Sequence, residues 1–415
     1  MIIKIIILAF FKNGIINYID NEYIFEANIL GLGNRKLTFR NGFFYSEWVI
    51  CSLHKRILYL RKTVFKTVEL QYKIKLTRYS ISLIPGDGIG PELIESAKMI
   101  LEFINDTTSI KFTLQEVDAG DYALSKFGKA LPDFTFDSIK KSDAALKGPV
   151  GESAADVIIF LRRYFDLYAN IRPAKSFPNI KSISNNIDLV TVRENTEDVY
   201  LGWEFYADSE TVVALRIISE KASRRIAEYA FKTAIIRNGK KKVVSVHKAN
   251  VLRKSDGLFK NICREVAKKY PQIEYSELYV DACAMNLIRN PESFDVILTT
   301  NLFGDILSDE AAQIVGGLGM APSANIGQNF SLFEPVHGAA FDIAGKNIAN
   351  PSSIFLSIKM MFEWLGDKFQ DSLLFVEAAK IENAIINLLR RNQKTIDIGG
   401  NLSTSDFSKR LVNLI

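Results

Sequence analysis

From Tyr79 to the C-terminus, short apolar segments alternate with longer amphipathic ones, and this alternation narrows the possible folds more than any other feature. The segments "YSISLI" and "KVVSVHK" have the length and the β-branched content of buried strands. The segments "PELIESAKMILEFI" and "EKASRRIAEYAFKTAIIRNG" carry apolar residues three and four apart, which predicts helices, and the second ends at an Asn-Gly C-cap. Strands that alternate with helices predict an α/β fold in which helices cover the sheet.

The composition argues against several classes of protein. At 415 residues, of which 48% are hydrophobic, the chain is long enough for two domains or one large α/β unit. A net charge of +5 gives little reason to expect a nucleic-acid partner, and no apolar run approaches the ~18 residues needed to cross a bilayer. The three cysteines match no zinc or redox spacing, which favours the reducing cytoplasm.

The glycine-rich stretch "LIPGDGIGPE" tests whether the chain carries a dinucleotide-binding loop. That loop requires G-x-G-x-x-G, whereas Gly86, Gly88 and Gly90 give G-x-G-x-G, with Pro91 directly after the third. No P-loop lysine follows either. The stretch predicts a strand, a turn and a helix that begins at proline, and it leaves open whether the turn has a structural or a ligand-binding role.

Two aspartates in "TTNLFGDILSDEAAQIVGGLG" form a candidate metal site. The segment after Asp305, to about Val315, is predicted to be helical, so Asp305 and Asp309 lie on one helical face. A divalent cation would relieve the repulsion between two like charges there, and hard Mg²⁺ or Mn²⁺ favours carboxylate oxygens. The alternative is a pair of solvated surface aspartates.

Several arginines precede this segment. Arg162, Arg163 and Arg172 lie in "FLRRYFDLYANIRPAK", and Arg193 lies in "VRENTEDVY". An arginine presents a planar fork that binds carboxylates through two hydrogen bonds. Scattered arginines are usually surface residues, so these four indicate a binding site only if the fold brings them together.

Six motifs occur in an order and at spacings that resemble one enzyme family: "GDGIGPE", "VRENTEDVY", "VHKANVL", "TTNLFGDILSD", "GGLGMAPSANIG" and "FEPVHGAAFDIAGKNIANP". The family is that of the β-decarboxylating dehydrogenases, which act on isopropylmalate, isocitrate or homoisocitrate. The resemblance implies their two-domain α/β fold, which is not a classical Rossmann fold. It implies a large cofactor-side domain from residues 79–167 and 317–415, and a small domain with the dimer interface from residues 168–316.

The resemblance also implies roles for single residues. Arg162, Arg172 and Arg193 would bind the malate-type carboxylates of a small 2-hydroxy-3-carboxy acid. Tyr200 would protonate the carbon that CO₂ leaves, and Lys248, from the partner subunit, would help remove the hydroxyl proton. The metal would be held by Asp305 and Asp309 together with the partner's Asp281, which also lies at the substrate. Such shared active sites imply a homodimer, or a tetramer built from dimers.

The expected cofactor depends on the segment that contains His337, which in the family forms the adenosine pocket. Asp342 and Ile343 stand where enzymes that use NADP place Lys and Tyr. A carboxylate accepts hydrogen bonds from ribose hydroxyls and repels a 2′-phosphate, so NAD is favoured. The resemblance places six further residues at the cofactor: Asn250, Glu334, Gly338, Ala339, Asn350 and His337 itself.

Substrate choice is expected to depend on the helix just before Arg162. Ile158 and Ile159 stand where isopropylmalate enzymes carry two leucines. Burying an unpaired carboxylate against them would cost several kcal/mol, whereas an isopropyl group gains about 1–3 kcal/mol. These residues favour 3-isopropylmalate and leucine biosynthesis, although Ala155 replaces a glutamate common in those enzymes. Homoisocitrate or isocitrate oxidation, dual specificity, and a non-catalytic regulatory subunit remain as alternatives.

Residues 1–78 have no counterpart in the family and carry no motif. Acidic residues such as Asp20 and Glu22 argue against a transit peptide, so an extra β-like segment or a poorly ordered extension is expected. No methionine lies between Met1 and Met99, which suggests the hypothesis that translation starts at a non-AUG codon near Leu76.

Overall fold

A computed structural model describes residues 78–415 continuously and, before them, only four short strands. The chain divides into two units, Met1–Lys75 and Leu76–Ile415. The hypothesis of a start near Leu76 falls on residues outside the described ones. In the first unit the described strands form an antiparallel sheet in sequential order. They are β1 (Ile15–Ile19), β2 (Glu22–Ile29), β3 (Gly33–Arg40) and β4 (Phe43–Tyr45).

The second unit is built on one ten-stranded sheet, in the order β13-β12-β14-β9-β8-β15-β16-β7-β5-β6. Most neighbours are parallel, while β8 and β15 run antiparallel to both of their neighbours. A separate hairpin pairs β10 with β11. The strands are β5 (Arg78–Ile84), β6 (Lys111–Glu116), β7 (Ala144–Lys147), β8 (Ala169–Lys175), β9 (Asp188–Glu194), β10 (Glu204–Tyr206), β11 (Val212–Ala214), β12 (Lys242–His247), β13 (Glu274–Tyr279), β14 (Val296–Thr299), β15 (Pro322–Ile326) and β16 (Ser331–Pro335).

Helices connect these strands, as the alternation predicted. Within the described residues no helix is long and apolar enough to span a membrane. The helices are α1 (Gly90–Thr107), α2 (Asp121–Phe127), α3 (Asp133–Lys141), α4 (Phe160–Tyr164), α5 (Glu220–Arg237), α6 (Ser255–Ala267), α7 (Val280–Arg289), α8 (Asn301–Ile314), α9 (Ser352–Phe369), α10 (Ser372–Arg390) and α11 (Thr404–Val412).

Several inner strands are buried along their whole length because helices cover both faces of the sheet. Every residue of β7 and of β14 is buried, and neither strand shows the alternation expected of a sheet with one solvated face. Along α9, apolar residues from Ile354 to Leu365 pack on β15 and β16 and belong to the largest core cluster. The continuous apolar runs in the sequence thus reflect burial on two sides.

The predicted strand, turn and helix at "LIPGDGIGPE" are confirmed as β5, a tight turn and α1. Gly86 and Gly88 have φ of 70° and 58°, in the left-handed region that glycine adopts easily. A Cβ on Gly88 would lie 1.9 Å from the carbonyl oxygen of Ala339. The Ile89 amide donates a 2.8 Å hydrogen bond to that same oxygen. Glycine is therefore required because the turn packs directly on the "HGAAFD" loop.

Helix boundaries near the site differ from the sequence expectation in two places. The helix that carries Asp305 starts at Asn301 rather than after Asp305, because Thr300 leaves β14 directly and forms its N-cap. The helix expected before Arg162 is a π-helical turn over Ala155–Ile159 that continues into α4. Such π-turns insert one residue into the helical repeat and occur often at functional sites.

Candidate active site

Three of the arginines in question converge, as the resemblance implied. Arg162 lies on α4, and Arg172 and Arg193 lie on the neighbouring antiparallel strands β8 and β9. All three are more than nine-tenths buried. Arg172 lies 3.2 Å from a carboxylate oxygen of Asp305, and Arg193 donates a short hydrogen bond to the same oxygen. Arg163, the fourth arginine, is exposed.

The buried guanidinium groups are crowded, which makes the site favourable for an anion. Burial and the nearby charge of Arg172 lower the pKa of Arg193 to about 9. Burial also lowers the pKa of Arg162. The Nη2 atom of Arg193 is buried and has no hydrogen-bond partner in the structure. A ligand carboxylate would supply the missing acceptor and offset the mutual repulsion of the cations.

The two aspartates of α8 face the arginines from the other side. One guanidinium bridges both, because Arg172 Nη1 lies 3.0 Å from Asp309 and its Nη2 lies 3.2 Å from Asp305. Burial would raise the pKa of Asp305, but Arg193 and Arg172 outweigh it and hold that pKa below its usual value. At Asp309 burial wins and the pKa is raised. Both carboxylates keep exposed surface, and their hard oxygens suit Mg²⁺ or Mn²⁺.

Tyr200 belongs to this group of residues. It lies in a short 3₁₀ turn, Asp198–Leu201, and its hydroxyl donates a hydrogen bond to Asp305. The Arg193 guanidinium lies over its ring, 4.9 Å from the centroid. Burial raises the pKa of Tyr200, and the bond to Asp305 adds to this while Arg193 opposes it. The phenol therefore holds its proton at neutral pH.

Lys248 and Asp281 form a separate pair. Lys248 follows β12, Asp281 lies in the first turn of α7, and their side chains meet at 2.6 Å. Among the described residues, no three His, Cys, Asp or Glu side chains are grouped so as to hold a metal ion. Asp281 therefore does not join Asp305 and Asp309 within one chain.

Two residues that sequence reasoning missed support Arg162, one directly and one through Glu334. Asn325, fully buried on β15, accepts a 2.9 Å hydrogen bond from Arg162 and donates one of 2.8 Å to Glu334. Lys147, at the end of β7, lies 2.8 Å from the other oxygen of Glu334. Lys147 and then Arg162 overcome the effect of burial and lower the pKa of Glu334 to about 2. The stretches "LKGPV" and "PSANIG" carried the only sequence signal for Lys147 and Asn325.

The expected cofactor residues lie on β16 and the loop after it. His337 contacts Ser353 through Nε2 at 3.0 Å, and burial lowers its pKa, which favours the neutral imidazole. Asp342 is exposed, whereas Ile343 packs partly against the main core. Of the other expected residues, Gly338 and Asn250 are exposed, and Ala339, Glu334 and Asn350 are buried. The side-chain amide of Asn350 donates a 3.0 Å hydrogen bond to Asp397.

The two expected specificity residues lie on the π-turn before Arg162. Ile158 and Ile159 are both half-buried, and Ile158 packs against the cluster beneath α4. Both isoleucines lie on the helical turn that leads directly to Arg162, which the resemblance assigns to a substrate carboxylate.

Comparison with known proteins agrees with this arrangement. Residues 80–411 match the family described as isocitrate/isopropylmalate dehydrogenase. The 3-isopropylmalate dehydrogenase of Saccharolobus solfataricus is 51% identical over 79% of this chain and 97% of its own length. The homoisocitrate dehydrogenase of Methanocaldococcus jannaschii is 45% identical over 81% of this chain and 97% of its own.

Solved structures give the same result. The crystal structure of isocitrate dehydrogenase from Methylococcus capsulatus superposes with a TM-score of 0.75 at 40% identity, covering 81% of this chain and 98% of that one. Fold, motifs and relatives agree over the same part of the chain. The chain belongs to the isocitrate/isopropylmalate dehydrogenase family and is a β-decarboxylating dehydrogenase.

Proposed function

We propose that this enzyme oxidises and decarboxylates 3-isopropylmalate to 4-methyl-2-oxopentanoate, with NAD as the hydride acceptor and Mg²⁺ or Mn²⁺ as the metal. The observation that carries the substrate assignment is the pair of half-buried, apolar residues Ile158 and Ile159 on the turn that leads to Arg162. The proposal also draws support from relatives named 3-isopropylmalate dehydrogenase, such as the Sulfurisphaera tokodaii protein at 52% identity.

The arginines are proposed to bind the two carboxylates that every family substrate shares. Arg193 offers its free Nη2 to a ligand carboxylate. Arg172 can exchange its ion pair with Asp309 for the same kind of contact. Charge-assisted hydrogen bonds from buried guanidinium groups are about twice as strong as neutral ones. The three arginines thereby fix the orientation of the carbon that loses hydride.

Two proton transfers are assigned to residues of this chain. Lys248 takes part in removing the proton of the 2-hydroxyl group as the C2 hydride leaves for NAD. After CO₂ departs, Tyr200 delivers its proton to C3 of the substrate, from a hydroxyl already turned toward Asp305. A divalent cation held by Asp305, Asp309 and the partner's Asp281 would stabilise the negative charge that develops on the substrate oxygen.

The position of Lys248 supports a homodimer with shared active sites. Lys248 and Asp281 are paired at the surface of the chain and are not grouped with the two aspartates of α8. A second copy that contributed this pair would complete the metal ligands and bring the base to the substrate. Domains of residues 79–167 with 317–415, and of residues 168–316, would then form the two walls of the cleft.

A substrate panel tests the proposal. NAD reduction is measured with 3-isopropylmalate, homoisocitrate and isocitrate at saturating Mg²⁺, and 3-isopropylmalate should give the highest kcat/KM. Equal or better turnover of homoisocitrate would overturn the assignment. The homoisocitrate alternative draws on a 45% identical relative of that name and on the resemblance of "LRRYFDLYANIRPAKS" to homoisocitrate enzymes. In that case Ile159→Arg should strengthen the preference for the longer acid, because it supplies a partner for the extra carboxylate.

A further inference from the structure

A half-buried arginine outside the substrate site connects three of the elements that carry catalytic residues. Arg216 lies between the β10–β11 hairpin and α5, and its side chain is 14% exposed. Its Nε and Nη2 bind the carboxylate of Asp198 at 2.7 and 3.1 Å, and its Nη1 binds Asp256 at 2.6 Å. Nη2 also donates to the Thr300 hydroxyl at 2.8 Å, and the guanidinium stacks 4.5 Å from the Phe303 ring centroid. We call Arg216, Asp198, Asp256 and Thr300 the Arg216 brace.

Each partner of Arg216 holds a different part of the catalytic machinery. Asp198 opens the turn that carries Tyr200. The second oxygen of Asp256 accepts a 2.6 Å hydrogen bond from the backbone amide of Lys248. Thr300 is the N-cap of α8, and Asp305 lies in the second turn of that helix. One guanidinium group thus contacts the supports of the proton donor, the base and the metal-binding helix.

The local backbone shows why such a support is needed. Asp198 has a φ of 73°, a conformation that few residues with a side chain adopt, and it is fully buried. Residues in such conformations persist only where the surrounding structure holds them. Here the carboxylate of Asp198 also accepts hydrogen bonds from the amides of Val199, at 2.9 Å, and Leu302, at 3.2 Å. The turn before Tyr200 is therefore tied both to Arg216 and to the first turn of α8.

We propose that Arg216 is a positioning residue that couples the placement of Tyr200 to that of Lys248. This inference rests on the proposed function, in which Tyr200 acts in the active site of its own chain and Lys248 acts in that of the partner. The brace then links the two active sites of a dimer through each subunit. A disturbance at the Lys248 loop of one subunit reaches the Tyr200 turn of the same subunit, and so alters the other site.

The first test replaces Arg216 with lysine, which keeps the charge but cannot span two carboxylates and a hydroxyl. Arg237→Lys is the matched control, since Arg237 also bridges two aspartates, Asp188 at 2.8 Å and Asp295 at 3.0 Å. Asp295 and Thr300 lie at opposite ends of β14, so the control bridge is remote from the catalytic elements. Folded fraction and melting temperature are measured for both variants.

Arg216→Lys should lower kcat about tenfold or more with little change in KM, because a misplacement of about 1 Å can cost two orders of magnitude in rate. Arg237→Lys should keep the parent kcat even if its melting temperature falls as much as that of Arg216→Lys. Equal kcat values per folded enzyme for Arg216→Lys and Arg237→Lys would show that the brace is only structural. This comparison does not depend on active sites being shared.

The second test uses hybrid dimers. One subunit carries Tyr200→Phe and the other Lys248→Met, so the only complete site combines Tyr200 of the second subunit with Lys248 of the first. Asp256→Asn, which keeps the side-chain shape, is then added to the second subunit. That subunit already carries Lys248→Met and contributes only Tyr200 to the complete site. The rate should fall at least about threefold, since Asp256 contacts Arg216, which in turn binds Asp198 at the start of the Tyr200 turn.

The outcomes separate the two proposals. A rate equal to that of the parent hybrid would overturn the coupling while leaving shared sites intact. An inactive parent hybrid, with both single-variant homodimers also inactive, would instead overturn the sharing of active sites. The comparison of Arg216→Lys with Arg237→Lys would then still decide whether Arg216 positions Tyr200.

Discussion

Arg193 contacts more of the candidate site residues than its position on a strand would suggest. Its guanidinium is 1% exposed, contacts Asp305 and the face of Tyr200, and keeps one nitrogen without a partner. An unsatisfied buried donor is costly unless a ligand supplies the acceptor. The same residue thus lowers the pKa of Asp305 and lies over the ring of Tyr200, and in the proposed function it also binds the substrate.

The first prediction is that Arg193→Lys weakens substrate binding. Lysine cannot reach Asn301, Asp305 and a ligand carboxylate with one ammonium group, whereas Arg193 already binds the first two. Loss of one hydrogen bond to a charged group should raise KM for the hydroxy acid about tenfold to a hundredfold. Steady-state kinetics check this, with the exposed neighbour of Arg162 as control: Arg163→Lys should leave KM unchanged. A parent-like KM in Arg193→Lys would remove Arg193 from the binding site.

The second prediction concerns cofactor choice. Asp342 is exposed at the loop that packs on the glycine turn, and a carboxylate there repels a 2′-phosphate. Asp342→Lys combined with Ile343→Tyr should shift the ratio of kcat/KM from NAD toward NADP by at least about tenfold. Competition kinetics with both cofactors measure the ratio, and Asp133→Asn, which removes an exposed carboxylate on α3 and not on this loop, serves as control. An unchanged ratio would place the ribose elsewhere.

At the scale of secondary-structure elements, the sequence predicted regular segments well and special geometry poorly. The Asn-Gly signal after α5 is confirmed, since Asn238 forms the C-cap with φ 49°. The early start of α8 and the π-turn over 155–159 were missed, because both depend on how the chain leaves one element for the next. Helical periodicity alone does not distinguish a π-turn from an α-helix.

The candidate site was predictable only where a motif marked it. The convergence of Arg172 and Arg193 depends on two strands pairing antiparallel, which no local pattern specifies. Asn325 and Lys147 look like ordinary strand residues, and their roles arise from burial beside Glu334. These positions and roles therefore depend on tertiary contacts between distant segments, which residue types alone do not predict.

The third prediction belongs to the neighbouring strands β7 and β16, which Lys147 and Glu334 connect. The pKa of Glu334 is lowered to about 2, so its carboxylate stabilises the fold above the ordinary glutamate pKa of about 4.3, by roughly 3 kcal/mol. That contribution is lost as pH falls from about 4.3 toward 2, where the carboxylate becomes protonated in the folded protein.

Glu334→Gln should therefore lower the free energy of unfolding at pH 7 by about 3–5 kcal/mol, because Lys147 and Arg162 lose a buried partner. Its stability should also fall less steeply than that of the parent between pH 4.5 and pH 3. Urea denaturation across this range measures both effects. Glu363→Gln, which removes a more exposed partner of Lys359, should change little. Parallel pH profiles for Glu334→Gln and the parent would contradict the assignment.

At the scale of the whole molecule, exposed apolar side chains mark the surface expected to bind a second copy. Met285 and Ile288 on α7 are each 66% exposed, and Ile306 on α8 is 59% exposed. The β10–β11 hairpin adds the exposed side chains of Phe205 and Tyr206. Exposed apolar surfaces of this kind mark interfaces in soluble proteins. α7 also carries Asp281, so the proposed shared active site lies next to this surface.

Ile288→Glu should therefore yield a monomer with almost no activity, because it buries a charge in the interface and withdraws both Lys248 and Asp281 from the partner's site. Analytical ultracentrifugation would show the change in mass, and circular dichroism would show that the monomer stays folded. Ile236→Glu is the matched control, since Ile236 on α5 is 82% exposed and lies on a different helix. That variant should remain dimeric and active. A folded, fully active Ile288→Glu monomer would contradict the shared site, because Lys248 would then have to serve the aspartates of its own chain.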